Sequence, residues 1–179
     1  VPYFSKEYRC ITFDQRSFGQ SIDGSKEFAD AFERDMAELL NALNVDRTFL
    51  VAQSMGGYSC MPFAIRNPER VIKLVMSDTF AGLSFPSVTE AMRKHLAVEN
   101  TDRHGTHKVF REGNPAGQFL YEQIRGMNPP RIPERDIWDT IESWVSPSEI
   151  QNSTVPVLYI VGEDDEVVPL SVIQAAHQV

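Results

Sequence analysis

A chain of 179 residues with 42% hydrophobic content is long enough for one substantial core, with room for a small inserted subdomain but not for a second full domain. Its formal charge of −8, with acids spread along the chain and no basic cluster, argues against nucleic acid or an anionic membrane as an electrostatic partner. Two cysteines, Cys10 in an apolar run and Cys60 further on, are too few and too poorly spaced for a disulfide framework or a zinc site, and are read as buried, reduced thiols. No signal peptide and no apolar stretch of membrane-spanning length is seen, which makes cytoplasmic the default expectation, and a chain opening on Val1-Pro2 is read as having lost its true start.

Residues 8 to 13, YRCITF, read as a buried strand ending at Asp14, followed by the turn DQRSFGQS and a polar stretch from Asp23 to Lys26. A helix is expected next. Phe28, Ala31, Phe32, Met36, Leu39, Leu40 and Leu43 recur at three- and four-residue spacing, with Asp30, Glu33, Arg34 and Glu38 on the other face. A strand over 48 to 53, a helix from 55 to about 66 and a second strand, VIKLVMSD, over 71 to 78 come after it. Alternating strands and helices, with strands apolar on both faces, predict an α/β fold whose mostly parallel sheet is covered on both sides.

The alternation breaks after Thr79. Helical segments are expected near 87 to 99, 106 to 126 and 133 to 145, separated by glycine and by the stiff run NPPRIP at 128 to 133. Residues 80 to 154 are therefore read as an inserted helical cap, and residues 1 to 79 with 155 to 179 as the core. The sheet resumes with VPVLYIVG at 155 to 162, whose turn carries Glu163, Asp164, Asp165 and Glu166, and the final SVIQAAHQV begins a helix.

Residues 48 to 57, TFLVAQSMGG, carry the chemistry. An apolar run drives straight into a serine flanked by the small residues Ala52, Gly56 and Gly57 and followed by helix formers. A serine at a sharp strand-to-helix turn needs a strained backbone, tolerated only where its neighbours lack bulk. Such a turn lifts the Ser54 hydroxyl clear of the sheet and leaves the amide of Met55 to donate to a developing oxyanion.

Three stretches together resemble one family. DQRSFGQS is similar to the D-x-R-G-x-G-x-S turn of the α/β-hydrolases, with Ser17 in place of the first glycine and Gly19 and Ser21 retained. AQSMGG resembles their nucleophile elbow with Ala52 for the first glycine, and PVLYIVGEDDEVVP their P-x-L-x-x-x-G-x-x-D-x-x-x-P pattern around the acid. The order covers essentially the whole chain and resembles the cap-bearing esterase, lactonase and haloperoxidase-like branch. The resemblance implies Ser54 as nucleophile, Met55 as oxyanion donor and Asp165 as the acid that orients the histidine. Asp164 competes with Asp165. Asp78 is a third candidate, because some relatives place the acid there, although a turn-capping role is the simpler reading. Arg16 and Asp14 are read as salt-bridged scaffold.

Gln53 either touches the substrate cavity or packs at the sheet edge, with packing favoured. The aromatics of the 80 to 154 segment (Phe80, Phe85, Phe110, Phe119, Tyr121, Trp138, Trp144) suit an apolar acyl pocket, Phe80 and Trp138 foremost, while most are read as the cap's own core. His104 and His107 have metal-compatible spacing but no companion ligands, so no metal and no cofactor is expected. The family's histidine follows a later strand than any present here, His177 falls in a helix away from Ser54, and the upstream histidine-glycine turn has no counterpart. The chain is accordingly read as a fragment. The expected function is hydrolysis of small carboxylic esters or lactones through an acyl-enzyme, with perhydrolysis and C–C cleavage using the same residues. The alternative is a non-catalytic binding or signalling member of the same fold. Oligomeric state is not legible.

Overall fold

The computed structural model describes residues 2–16, 18–21, 31–83, 85–98, 106–127 and 145–179. Phe32, Met36 and Leu40 recur every fourth residue, which places them on one face of α1 (Ala31–Ala42), where all three are buried. The helix stops at Asn44, whose φ of 53° is the left-handed geometry that asparagine tolerates, and the Val45 N–H closes the end on the Leu40 carbonyl.

β1 (Thr48–Gln53), α2 (Gly57–Arg66) and β2 (Val71–Ser77) follow, then α3 (Pro86–Leu96), α4 (Lys108–Gly113), α5 (Pro115–Gly126), α6 (Pro147–Gln151), β3 (Val157–Ile160) and α7 (Leu170–His177). The strands form a parallel sheet in the order β1-β2-β3, with Leu50 beside Leu74 beside Val157 and Gln53 beside Ser77 beside Ile160. Because all three run the same way, the turns that leave them share one carboxyl edge. In open α/β sheets that edge is where ligands gather.

Leu50, Ala52, Leu74 and Met76 point to one face and join a single core with Phe32 and Met36 of α1, Phe63 and Met61 of α2 and Val172 and Ile173 of α7. The other face differs from expectation. Phe49, Val51, Leu158 and Ile160 are 48%, 69%, 56% and 51% exposed, so the helices among the described residues clad one face of a sheet whose strands are apolar on both. Residues 8 to 13 also form no strand. A strand exists by its ladder, and this segment finds no partner among the described residues; Ile11 is half-buried, Tyr8 sets its ring edge-on to Phe49, and the Arg9 guanidinium donates to the Leu43 carbonyl. Cys10 is exposed, contrary to the expected burial, whereas Cys60 is buried in α2 and its thiol is pushed up to about 12.

The segment from 80 to 154 enters the core at both ends. Phe80, Leu83, Phe85, Val88 and Met92 at its start and Val145 near its close are buried in the main core, and α3 packs on α7. The expected helix over 106 to 126 is broken at Asn114, whose side chain accepts from the Gly117 N–H and caps α5. The expected helix over 133 to 145 lies outside the described residues but for Val145. No helix among the described residues is long and apolar enough to cross a membrane, and among them no cluster of three or more His, Cys, Asp or Glu could hold a metal ion.

Arg66 closes the far side of the core by reaching Glu33 of α1 at 2.5 Å and Glu149 of α6 at 2.9 Å. The Ser146 N–H, then the Arg66 guanidinium and the Ser146 hydroxyl, hold the Glu149 carboxyl down to about 2 from an ordinary 4.5. A depressed carboxyl contributes stability that is fully present above 4.5 and is lost as pH falls through 2. The side chain is 36% exposed, so screening leaves about 1 kcal/mol of this. Glu149→Gln is therefore expected to flatten the acid limb of the unfolding free energy between those pH values by about that amount, measured by urea titration at a series of pH values.

Candidate active site

Gln53 ends β1 in an extended conformation, and Ser54 turns the chain with φ of 49°, a left-handed geometry that costs a non-glycine residue about 1 kcal/mol or more. A short 3₁₀ turn, Ser54–Gly56, then leads into α2. Met55 stands in the first turn of this helical run, where a backbone N–H has no intrahelical acceptor.

The small residues around the serine do not serve equally. A Cβ on Gly57 would lie 2.8 Å from the Ala81 Cβ and 2.9 Å from the Thr79 hydroxyl, whereas one on Gly56 would meet only the Ala52 Cβ at an ordinary 3.7 Å. Gly57→Ala is thus expected to cost about 1–3 kcal/mol by overpacking, and Gly56→Ala less than about 1 kcal/mol, measured by chemical denaturation. Equal costs would show that the close packing of Gly57 does not set the turn.

Sequence reading missed Gln15, which occupies the variable position of the D-x-R turn. Its side-chain amide donates to the Met55 carbonyl at 3.3 Å and to the hydroxyl of the buried Ser59 at 2.6 Å, tying the 14 to 21 turn to the elbow. That turn is itself braced: Asp14 accepts from the Gln20 N–H and the Ser21 hydroxyl, and Arg16 pairs with Asp35 through two nitrogens, Nε at 2.7 Å and Nη2 at 2.5 Å. Arg16 is salt-bridged as expected, whereas Asp14 braces the turn through hydrogen bonds and enters no ion pair among the described residues.

At the same sheet edge, β3 gives way to the acidic turn. Asp165 Oδ1 accepts from the Val167 N–H at 2.8 Å and the Val168 N–H at 2.9 Å, and its own N–H donates to the Gly162 carbonyl. Oδ2 makes no hydrogen bond among the described residues. Asp164 is exposed and makes no side-chain hydrogen bond among the described residues. Asp78, with φ of 49°, accepts from the Gly162 N–H and the Ser77 hydroxyl while donating to the Ile160 carbonyl, so its carboxylate is used in tying the ends of β2 and β3 together.

No imidazole hydrogen-bonds to Ser54 or Asp165 among the described residues. His177 is exposed at the end of α7 with its ring edge-on to Tyr159 at 6.5 Å, and His107 caps α4 by accepting from the Val109 N–H. His95 bonds the Glu166 carbonyl, and His104 lies outside the described residues. Gln53 is exposed rather than packed, because it falls on the bare face of the sheet. Phe80 is 3% exposed and belongs to the core, and Trp138 and Trp144 lie outside the described residues. Phe85 is buried, but Phe110 and Phe119 are 42% and 67% exposed and form no closed core of their own among the described residues.

Strand, left-handed serine, helix, strand and acidic turn, in that order on one parallel sheet, define an α/β-hydrolase framework. The chain belongs to the alpha/beta hydrolase fold family, whose model matches residues 1–179. It is 27% identical over 196 residues to a 2-hydroxy-6-oxononadienedioate/2-hydroxy-6-oxononatrienedioate hydrolase of Paraburkholderia xenovorans (strain LB400), a match covering 96% of this chain and 65% of that protein. A meta-cleavage product hydrolase from Pseudomonas fluorescens IP01 shares the fold with a TM-score of 0.72 at 20% identity, over 99% of this chain and 70% of that one. A thermophilic esterase from Thermogutta terrifontis matches with a TM-score of 0.64 at 27% identity, over 92% of this chain and 65% of the esterase. The chain thus spans about two thirds of the length of these relatives.

Proposed function

We propose that the protein is a serine hydrolase of small carboxylic esters or lactones, with Ser54 as nucleophile, Asp165 as the acid of the triad and the Met55 amide in the oxyanion hole. The observation that carries this reading is Ser54 itself. A serine held in left-handed geometry at the carboxyl edge of a parallel sheet, with a glycine wedged behind it, carries backbone strain that glycine would avoid, and its hydroxyl is what glycine would lack. In the reaction, Ser54 Oγ adds to the substrate carbonyl as its proton passes to a histidine, and the oxyanion takes the Met55 N–H. Collapse expels the alcohol with that proton, and water, deprotonated by the same histidine, releases the acid from the acyl-serine. Asp165 Oδ2 is the acceptor left for the histidine N–H.

A second reading, C–C bond hydrolysis, is favoured by the name of the Paraburkholderia relative. The two are separated by assaying the protein from its full reading frame against p-nitrophenyl acetate, a γ-lactone and 2-hydroxy-6-oxononadienedioate. Ester or lactone turnover exceeding that of the dienoate supports the proposal. A dienoate preference of a thousandfold or more replaces it with the second reading, and no turnover of any of them leaves a binding protein.

A further inference from the structure

Helix α3 brings one imidazole to the acidic turn. His95, half-buried in the last turn of α3, places Nε2 2.8 Å from the Glu166 carbonyl oxygen. A carbonyl only accepts, so Nε2 carries the hydrogen and is engaged with the turn, leaving it no lone pair with which to deprotonate Ser54. The partner on the other side of this bond is what gives it meaning. The Glu166 carbonyl and the Val167 N–H belong to one peptide group, and that N–H donates to Asp165 Oδ1 at 2.8 Å.

A single planar unit is therefore gripped at both ends, by imidazole at its oxygen and by the Asp165 carboxylate at its hydrogen. A peptide that accepts a bond at its carbonyl becomes a stronger donor at its N–H, so the two bonds reinforce one another. Without His95, the peptide retains the Asp165 contact but loses the restraint that fixes its plane. Asp165 Oδ1 would then keep the Val168 N–H as its one fixed anchor, and Oδ2 would be less firmly directed.

We propose, on the reading of Ser54 and Asp165 given above, that His95 is a positioning residue that aims Asp165 through the Glu166–Val167 peptide. Its place on α3, in the segment between β2 and β3, makes the aim of the acid depend on that helix staying docked on α7.

The test is steady-state hydrolysis of p-nitrophenyl acetate by the protein from its full reading frame. His95→Leu is expected to lower kcat about 10- to 100-fold with KM within about twofold, the scale of a catalytic group displaced by a fraction of an ångström to an ångström. His95→Gln, whose terminal amide can donate from near the place of Nε2, should recover kcat to within about threefold, and the shorter His95→Asn should not. In an Asp165→Asn background, His95→Leu should cost less than about twofold, because the group it aims is already gone. Backbone amide exchange at Val167 should speed up in His95→Leu and not in His95→Gln, a readout that needs no turnover. A full His95→Leu loss persisting in the Asp165→Asn background, a loss confined to KM, or no rescue by glutamine overturns the clamp while leaving the site reading intact. Wild-type turnover by Asp165→Asn overturns the site reading and the clamp with it.

Discussion

Ser54→Ala in the protein from its full reading frame is expected to abolish covalent labelling by a fluorophosphonate probe and to reduce ester turnover by about a millionfold, the scale for loss of an activated serine. A fluorophosphonate reports the reactivity of a hydroxyl as well as its presence. It forms a bond only with a hydroxyl that is both activated and presented, and Ser54 is the serine that the strand-to-helix turn lifts at the carboxyl edge of the sheet. The Met55 amide would remain beside the vacated position, so on the proposed reading residual rate above water would measure the oxyanion hole and substrate binding together. Labelling that survives the substitution would place the nucleophile elsewhere. The 179-residue chain by itself is expected to label poorly, because among its described residues no imidazole reaches Ser54 and a neutral hydroxyl is a weak nucleophile.

Asp165→Asn is expected to lower kcat by about ten-thousandfold with little change in KM. The asparagine preserves shape and can keep the Val167 and Val168 amides on its carbonyl oxygen, but it turns its amide toward the position of Oδ2. A donor there holds a histidine in the wrong tautomer and offers no charge to the imidazolium. Asp164→Asn, by contrast, should stay within about threefold, since Asp164 is exposed and makes no side-chain hydrogen bond among the described residues. Side-by-side kcat values for the two variants decide between the adjacent carboxylates. A larger loss at Asp164 would show that motif spacing selected the wrong residue.

The elbow was legible in the sequence because everything it needs is local: an apolar run, a serine and small neighbours within ten residues. The acidic turn was legible for the same reason, through the spacing from Gly162 to Asp165 to Pro169. Contacts across the fold were not. Gln15 reaches Met55 and Ser59 over 40 and 44 positions, and His95 reaches Glu166 over 71, distances at which no periodicity or motif announces a hydrogen bond. Residues 8 to 13 show the opposite failure. Their composition is that of a strand, but a strand needs a neighbour as well as a composition. The two-sided apolarity of β1 and β3 is plain in the sequence, but their Phe49, Val51, Leu158 and Ile160 face is exposed, since which face is covered depends on elements that the strands themselves do not encode.

The left-handed geometry of Ser54 sets two selective pressures against each other. At φ of 49° glycine would rest without strain, so drift guided by folding alone would empty this position of its hydroxyl. A lineage that keeps serine there accepts a slightly weaker fold in every generation, which, on the reading of Ser54 as nucleophile, is offset by the use of the hydroxyl. On that reading, relatives in which this position has become glycine would mark the branches where the fold outlived the reaction.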